Sequence, residues 1–140
     1  MSAPSFTAAR ISADPTKGAI IDNYQTAEAI ALGQWVYINS SGYAALTDAN
    51  AEATSDVVGI AVAYAGDQYG NTTVASGDRV SVCKFGKVYG FSGLTPGARL
   101  YLSDTAGAAD TAEGTVDVPL GFCDSATVFF VDIGRVTPAS

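Results

Sequence analysis

Apolar positions along the chain fall into short runs of strand-forming residues, separated by glycine, asparagine, serine and proline. The first 26 residues carry only scattered apolar positions, Phe6, Ile11, Ile20, Ile21 and Tyr24, interrupted by DPTKG at Asp14 to Gly18. Neither a helical nor a two-residue period fits them, so residues 1–26 are expected to form an extended arm. From Ala27 the text changes. GQWVYINSSGYAAL (Gly33 to Leu46) puts β-branched and aromatic residues on either side of NSSG, which is turn chemistry, and predicts a hairpin. VVGIAVAYA (Val57 to Ala65), DRVSVCKFGKVYGF with a bend or bulge at Gly86, LTPGARLYLS, VDVPLGFC and TVFFVDIGRV read as further strands. TAEAIAL (Thr26 to Leu32) has room for two helical turns at most, and Asp48 to Asp56 for one. About eight short strands at close spacing predict a mainly β fold, a small barrel or sandwich of β-tulip type, with residues 27–140 as one domain.

The pattern also repeats. ALGQWVYINSSGYAAL aligns with TPGARLYLSDTAGAADT, so that Gly33 meets Gly97, Val36 meets Leu100, Tyr37 meets Tyr101 and Ile38 meets Leu102, an offset of 64 (97 minus 33). VVGIA aligns with PLGFC, Gly59 facing Gly121 at an offset of 62 (121 minus 59). The two units span about 29–65 and 93–130. Each has one apolar face that it cannot bury alone, so two related halves packed on each other are expected. Within the second unit, Pro96 and Gly97 form a turn. Leu100 and Leu102 share one strand face, and Arg99 and Tyr101 take the other.

Composition narrows the functions. Of 140 residues, 48% are hydrophobic and 15% charged, a balance that folds rather than stays disordered. Seven Lys plus Arg against fourteen Asp plus Glu give a net charge of -7, with no basic cluster, which makes nucleic acid a poor partner. Apolar stretches such as Val128 to Val131 are far shorter than the roughly 20 residues of a membrane helix. MSAPSFTAAR lacks the pattern of a secretion signal, so a protein made in a cytoplasm, with no membrane partner, is expected. Cys83 and Cys123 sit in apolar strand contexts, which favours two buried thiols over a disulfide.

Candidate chemistry is sparse. The chain has no histidine, so Ser-His and Cys-His nucleophilic pairs are impossible, and neither a G-x-S-x-G elbow nor a phosphate-cradling loop occurs. Carboxylate pairs such as Asp104 with Asp110 or Asp117 with Asp124 lie in turn-like stretches where solvated acids are the rule. Asp104, Asp110, Glu113 and Asp117 do not have the spacing of a calcium-binding EF-hand loop. Two cysteines are too few for a zinc site. No catalytic residue, metal or cofactor is expected. Asn39 and Asn71 fit the glycosylation pattern but read as turn residues. Trp35 and Tyr37 belong to a strand, whereas Tyr43 and Tyr69 are the aromatics expected to be exposed for contact.

In their order, ALGQWVYI, VVGIAVAYA, GDRVSVCKFGKVYGF, GLTPGARLYLSDTAGAADT and PLGFCDSATVFFVDIG resemble the capsid decoration, or cement, proteins of tailed bacteriophages over Ala29 to Val136. The resemblance implies a non-enzymatic virion protein, often a homotrimer, bound to the major capsid protein on the outer surface of the phage head near three-fold positions, where it stiffens the lattice. It also implies an N-terminal segment that adds to a capsid sheet. On that reading Phe6, Ile11, Ile20, Ile21 and Tyr24 are buried against the capsid or a neighbouring subunit; the other course is an arm folded back on its own barrel. The alternative function is a carbohydrate-binding or fibre-type virion domain with Tyr43 or Tyr69 at a sugar site.

Overall fold

A computed structural model describes residues 5–6, 11–13, 18–47, 57–64, 73–112, 114 and 118–133. These form fourteen strands and no helix: β1 (Ser5–Phe6), β2 (Ser12–Ala13), β3 (Ile20–Gln25), β4 (Ile30–Ala31), β5 (Trp35–Ile38), β6 (Ala44–Leu46), β7 (Val57–Tyr64), β8 (Thr73–Val74), β9 (Arg79–Tyr89), β10 (Phe91–Ser92), β11 (Arg99–Leu102), β12 (Ala109–Asp110), β13 (Pro119–Cys123) and β14 (Val128–Val131). No helix among the described residues is long and apolar enough to cross a membrane.

The long strand β9 is the spine of a strongly curled sheet that forms a half-barrel. β9 pairs with β14 along Gly86 to Tyr89 and with β3 along Arg79 to Phe85. It also pairs with β7 at Ser81 to Cys83, on the edge opposite β3, and with β2 at Tyr89, on the edge opposite β14. The strand order β6-β5-β7-β9 on one side is matched by β12-β11-β13-β14 on the other.

This match is the internal repeat made physical. Val36 pairs with Gly59 in the first half and Leu100 with Gly121 in the second, and both ladders shift register one residue later, at Tyr37 and Tyr101. The hydrogen bonds at the entry to each half are equivalent too. Gly33 N–H donates to the Ala61 carbonyl at 2.8 Å and Gly97 N–H to the Cys123 carbonyl at 2.7 Å. Ala61 N–H donates back to Gln34, and Cys123 N–H to Ala98, both at 2.8 Å. Thr95 to Ala98 is a turn closed by the Ala98 N–H on the Thr95 carbonyl, with Gly97 at φ 84°, which a side chain would strain. The matching glycine, Gly33, has φ 94°.

The hairpins differ by one residue. Five residues, Asn39 to Tyr43, join β5 to β6, and six, Ser103 to Ala108, join β11 to β12. In the first, the Asn39 side-chain oxygen accepts the N–H groups of Ser41 and Tyr43, so the predicted NSSG turn forms around its own asparagine. In the second, the Gly107 carbonyl accepts from Trp35 N–H at 2.9 Å and its N–H donates to the Thr47 carbonyl at 2.6 Å. That loop clasps the second half to the first.

Between the halves lies one apolar core. Trp35 and Phe129 meet edge-to-face, ring centroids 5.9 Å apart, and Phe91 reaches Phe129 at 6.2 Å. As the alternation predicts, Leu100 and Leu102 are buried, Arg99 is exposed and Tyr101 half-buried.

Two features bear on alternatives that the sequence left open. Thr26 to Leu32 forms no helix, because Thr26 is tied elsewhere: its hydroxyl donates to the carbonyls of Ala75 and Asp78, and its N–H also donates to Asp78. Ile30 and Ala31 then pair with Val74 and Thr73. The described part of the N-terminal segment is woven into the sheet instead of standing off it. Ser12 pairs in parallel with Ala63 and bridges to Tyr89, and Ile20 to Gln25 runs antiparallel to β9. Such segments are too short or too irregular to show a period, and their partners lie 51 (63 minus 12) to 77 (89 minus 12) residues on, so local pattern carries no sign of them.

Candidate functional site

The five N-terminal residues singled out in the sequence do not act as one group. Ile11 is wholly buried in the chain's own core, whereas Ile20 is 55% exposed on the outer face. Ile21 and Tyr24 are half-buried and pack against the core from β3. The backbone of Phe6 pairs with that of Phe91. Lys84 fastens β3 to β9: its ammonium donates to Tyr24 Oη at 3.1 Å and Asp22 Oδ2 at 3.2 Å and lies 5.8 Å from the Tyr24 ring centroid. The bonds to Tyr24 and Asp22 push its pKa up. Tyr43 is 40% exposed at the end of the first hairpin turn, and Tyr69 lies outside the described residues.

The surface brings together residues that local pattern does not. In antiparallel sheets, residues directly opposite each other project on the same face. Arg99 faces Phe122, Phe122 faces Phe130, and Phe130 faces Lys87, a row crossing β11, β13, β14 and β9 on the outer face. Phe122 and Phe130 stack at 5.1 Å with 17° between ring planes. Phe85 meets Phe130 edge-to-face at 5.2 Å, and Ile20 lies opposite Phe85 on β3. Phe85 is 41% and Phe122 36% exposed. The result is an aromatic strip across five strands with a cation at each end of the row. Asp124 lies beside Lys87, at 3.6 Å.

No single stretch of sequence signals this strip. TVFFVDIG reads as core, and half of it is: Phe129 and Val131 point inward while Phe130 points out. Only the cross-strand register shows that outward aromatics from different strands share one line.

A separate cavity of about 240 Å³ lies at the clasp between the halves, lined by Trp35, Phe91, Leu100 and the Thr105 to Ala109 loop. Its wall is mostly apolar.

The cysteines are buried free thiols. Burial pushes the Cys83 pKa up to about 11, against a smaller opposing effect from its hydrogen bond to the Phe85 carbonyl, and burial raises that of Cys123 also. Both stay protonated at neutral pH and behave as small hydrophobes. Among the described residues, no three His, Cys, Asp or Glu side chains come together as metal ligands. The outward aromatic strip is suited to contact with another surface.

No protein-family model matches this chain, and no curated protein matches it.

Proposed function

We propose that this protein is a structural component of a tailed-phage virion that binds the outside of the capsid and stabilises the lattice through protein–protein contact. The observation that supports it is the outward strip of Ile20, Phe85, Phe130 and Phe122 on a tightly cross-linked β body. Contiguous exposed apolar surface rimmed by polar groups marks contact surfaces, and aromatics with arginine at the margin are the composition of such contacts. The phrases that carry the resemblance to decoration proteins are the strands and turns of the two halves, so the resemblance is carried by the framework itself.

The activity is mechanical: many modest contacts repeated by symmetry add up, and no single residue need be irreplaceable. The test mixes purified protein with expanded empty capsids of the source phage, followed by sedimentation and cryo-electron microscopy. Saturable co-sedimentation with density on the outer shell is the expected result. Folded protein that stays in the supernatant overturns the reading, and a positive glycan array would then favour the carbohydrate-binding alternative through Tyr43.

A further inference from the structure

The cavity at the clasp combines apolar walls with one donor that the chain does not satisfy. Trp35, Phe91 and Leu100 are buried in its wall, and Thr105 and Ala106 are exposed in the same lining, so it runs from the core towards the surface. Every residue that lines it is uncharged. An apolar cavity of about 150 Å³ takes benzene. At about 240 Å³ this one has room for such a ring and roughly three further non-hydrogen atoms.

The donor is Trp35 Nε1. Trp35 is only 2% exposed, and its backbone N–H and carbonyl are taken by Gly107 and Thr47. Among the described residues its indole N–H finds no acceptor, yet it is not sealed off from accessible space. The accessible space that Trp35 lines is this cavity. Buried indole N–H groups ordinarily have a partner, because leaving the donor unpaired costs more than a typical hydrogen bond contributes. A ligand with an acceptor oxygen meets that need.

The walls are set before any ligand arrives. Trp35 and Phe91 both pack on Phe129, at 5.9 and 6.2 Å between ring centroids. The rim is held by the two hydrogen bonds of Gly107 to Trp35 and Thr47, and by the Ser103 N–H on the Ala108 carbonyl at 3.0 Å. A site formed in advance loses little to ordering on binding.

We propose that this cavity binds a small uncharged aromatic molecule carrying one carbonyl or hydroxyl oxygen. Its ring lies against Trp35 and Phe91, and its oxygen accepts the Trp35 indole N–H. A carboxylate is refused, because no cation in the wall offsets its burial. Such a site is independent of capsid binding.

Trp35 is the chain's one tryptophan, so its indole N–H gives a single resonance that reports on this cavity. The test follows that resonance while the full chain is titrated with acetophenone, with α-methylstyrene, in which a CH2 group replaces the carbonyl oxygen, and with benzoate. Acetophenone is expected to shift it downfield and saturably, with a midpoint on the order of 1 mM or below for a ligand of its size. α-Methylstyrene is expected to bind roughly fivefold more weakly, and benzoate not at all. Ala109 pairs with the buried Leu102 and shares its face, so Ala109→Leu fills the cavity and should abolish the saturable shift. Circular dichroism establishes that this variant is folded, and the three compounds decide the matter on the unaltered protein if it is not. A shift that does not saturate, equal affinity for acetophenone and α-methylstyrene, or unchanged binding in folded Ala109→Leu would overturn the proposal. Capsid co-sedimentation reads the decoration function separately, and neither result decides the other.

Discussion

Gly59 and Gly121 hold the same place in the two halves, each lying where the carbonyl oxygen of the next strand leaves no room for a side chain. A Cβ on Gly59 would overlap the Cys83 carbonyl oxygen, and one on Gly121 the Phe130 carbonyl oxygen. Alanine at either position must therefore push apart a pair of central strands. Gly59→Ala and Gly121→Ala are each expected to lower unfolding free energy by about 3 kcal/mol, with Gly121→Ala the worse because its φ of 143° also strains a side chain. Denaturant unfolding checks this. Gly42→Ala, with open space around its Cβ position and only a φ of 85° against it, should cost about 1 kcal/mol.

The edge-to-face contact of Trp35 with Phe129 joins the first half to the second through the core. Removing either ring leaves a cavity as well as losing its burial, and Trp35→Ala or Phe129→Ala should cost about 4 kcal/mol. A double-mutant cycle is expected to find a coupling of about 1 kcal/mol between them. Additive losses would mean that the two halves do not communicate through these rings.

Ile11 and Ile20 lie nine residues apart (20 minus 11) and have opposite environments. Ile11→Ala should destabilise the fold by about 3 kcal/mol, whereas Ile20→Ala, on the exposed strip, should change stability by less than about 1 kcal/mol. Chemical unfolding of the two variants distinguishes an N-terminal segment that is part of the fold from one that is held in reserve for a partner.

Cys83 gives the fold a pH dependence at the alkaline end. Its folded pKa of about 11 lies above the ordinary thiol value of 9.0, so the folded state holds its proton where the unfolded state has lost it. The stability this contributes is fully present below about pH 9 and is lost as pH rises towards 11. The unfolding midpoint should fall across that window, and the fall should be shallower in Cys83→Ala than in the unaltered protein. At pH 7 a soluble thiol reagent is expected to leave Cys83 unmodified until the chain unfolds.

These residues also show how far the sequence could be read. The repeat aligned Val36 with Leu100 and Gly59 with Gly121, and the ladders pair those same residues in each half, because alternation and turn glycines are local properties that fix register. Leu100 and Leu102 share a face for the same reason, and that face is the buried one. The place of Ile11 was not readable: β2 is two residues long and wedges between strands far along the chain. The strip is not legible in the sequence because Phe85, Phe122 and Phe130 come from three strands, and each alone looks like an ordinary core residue.

The clasp at Gly107 lies in a turn whose length differs between the halves. The glycine that bonds to Trp35 and Thr47 lies in the six-residue turn, whereas Gly42, the penultimate residue of the five-residue turn in the first half, donates its N–H within its own turn, to the Asn39 carbonyl. The two turns have thus diverged: one closes on itself, and the other ties its own half to the strand of its counterpart, so the duplication supplies the strands while a difference between the copies joins them.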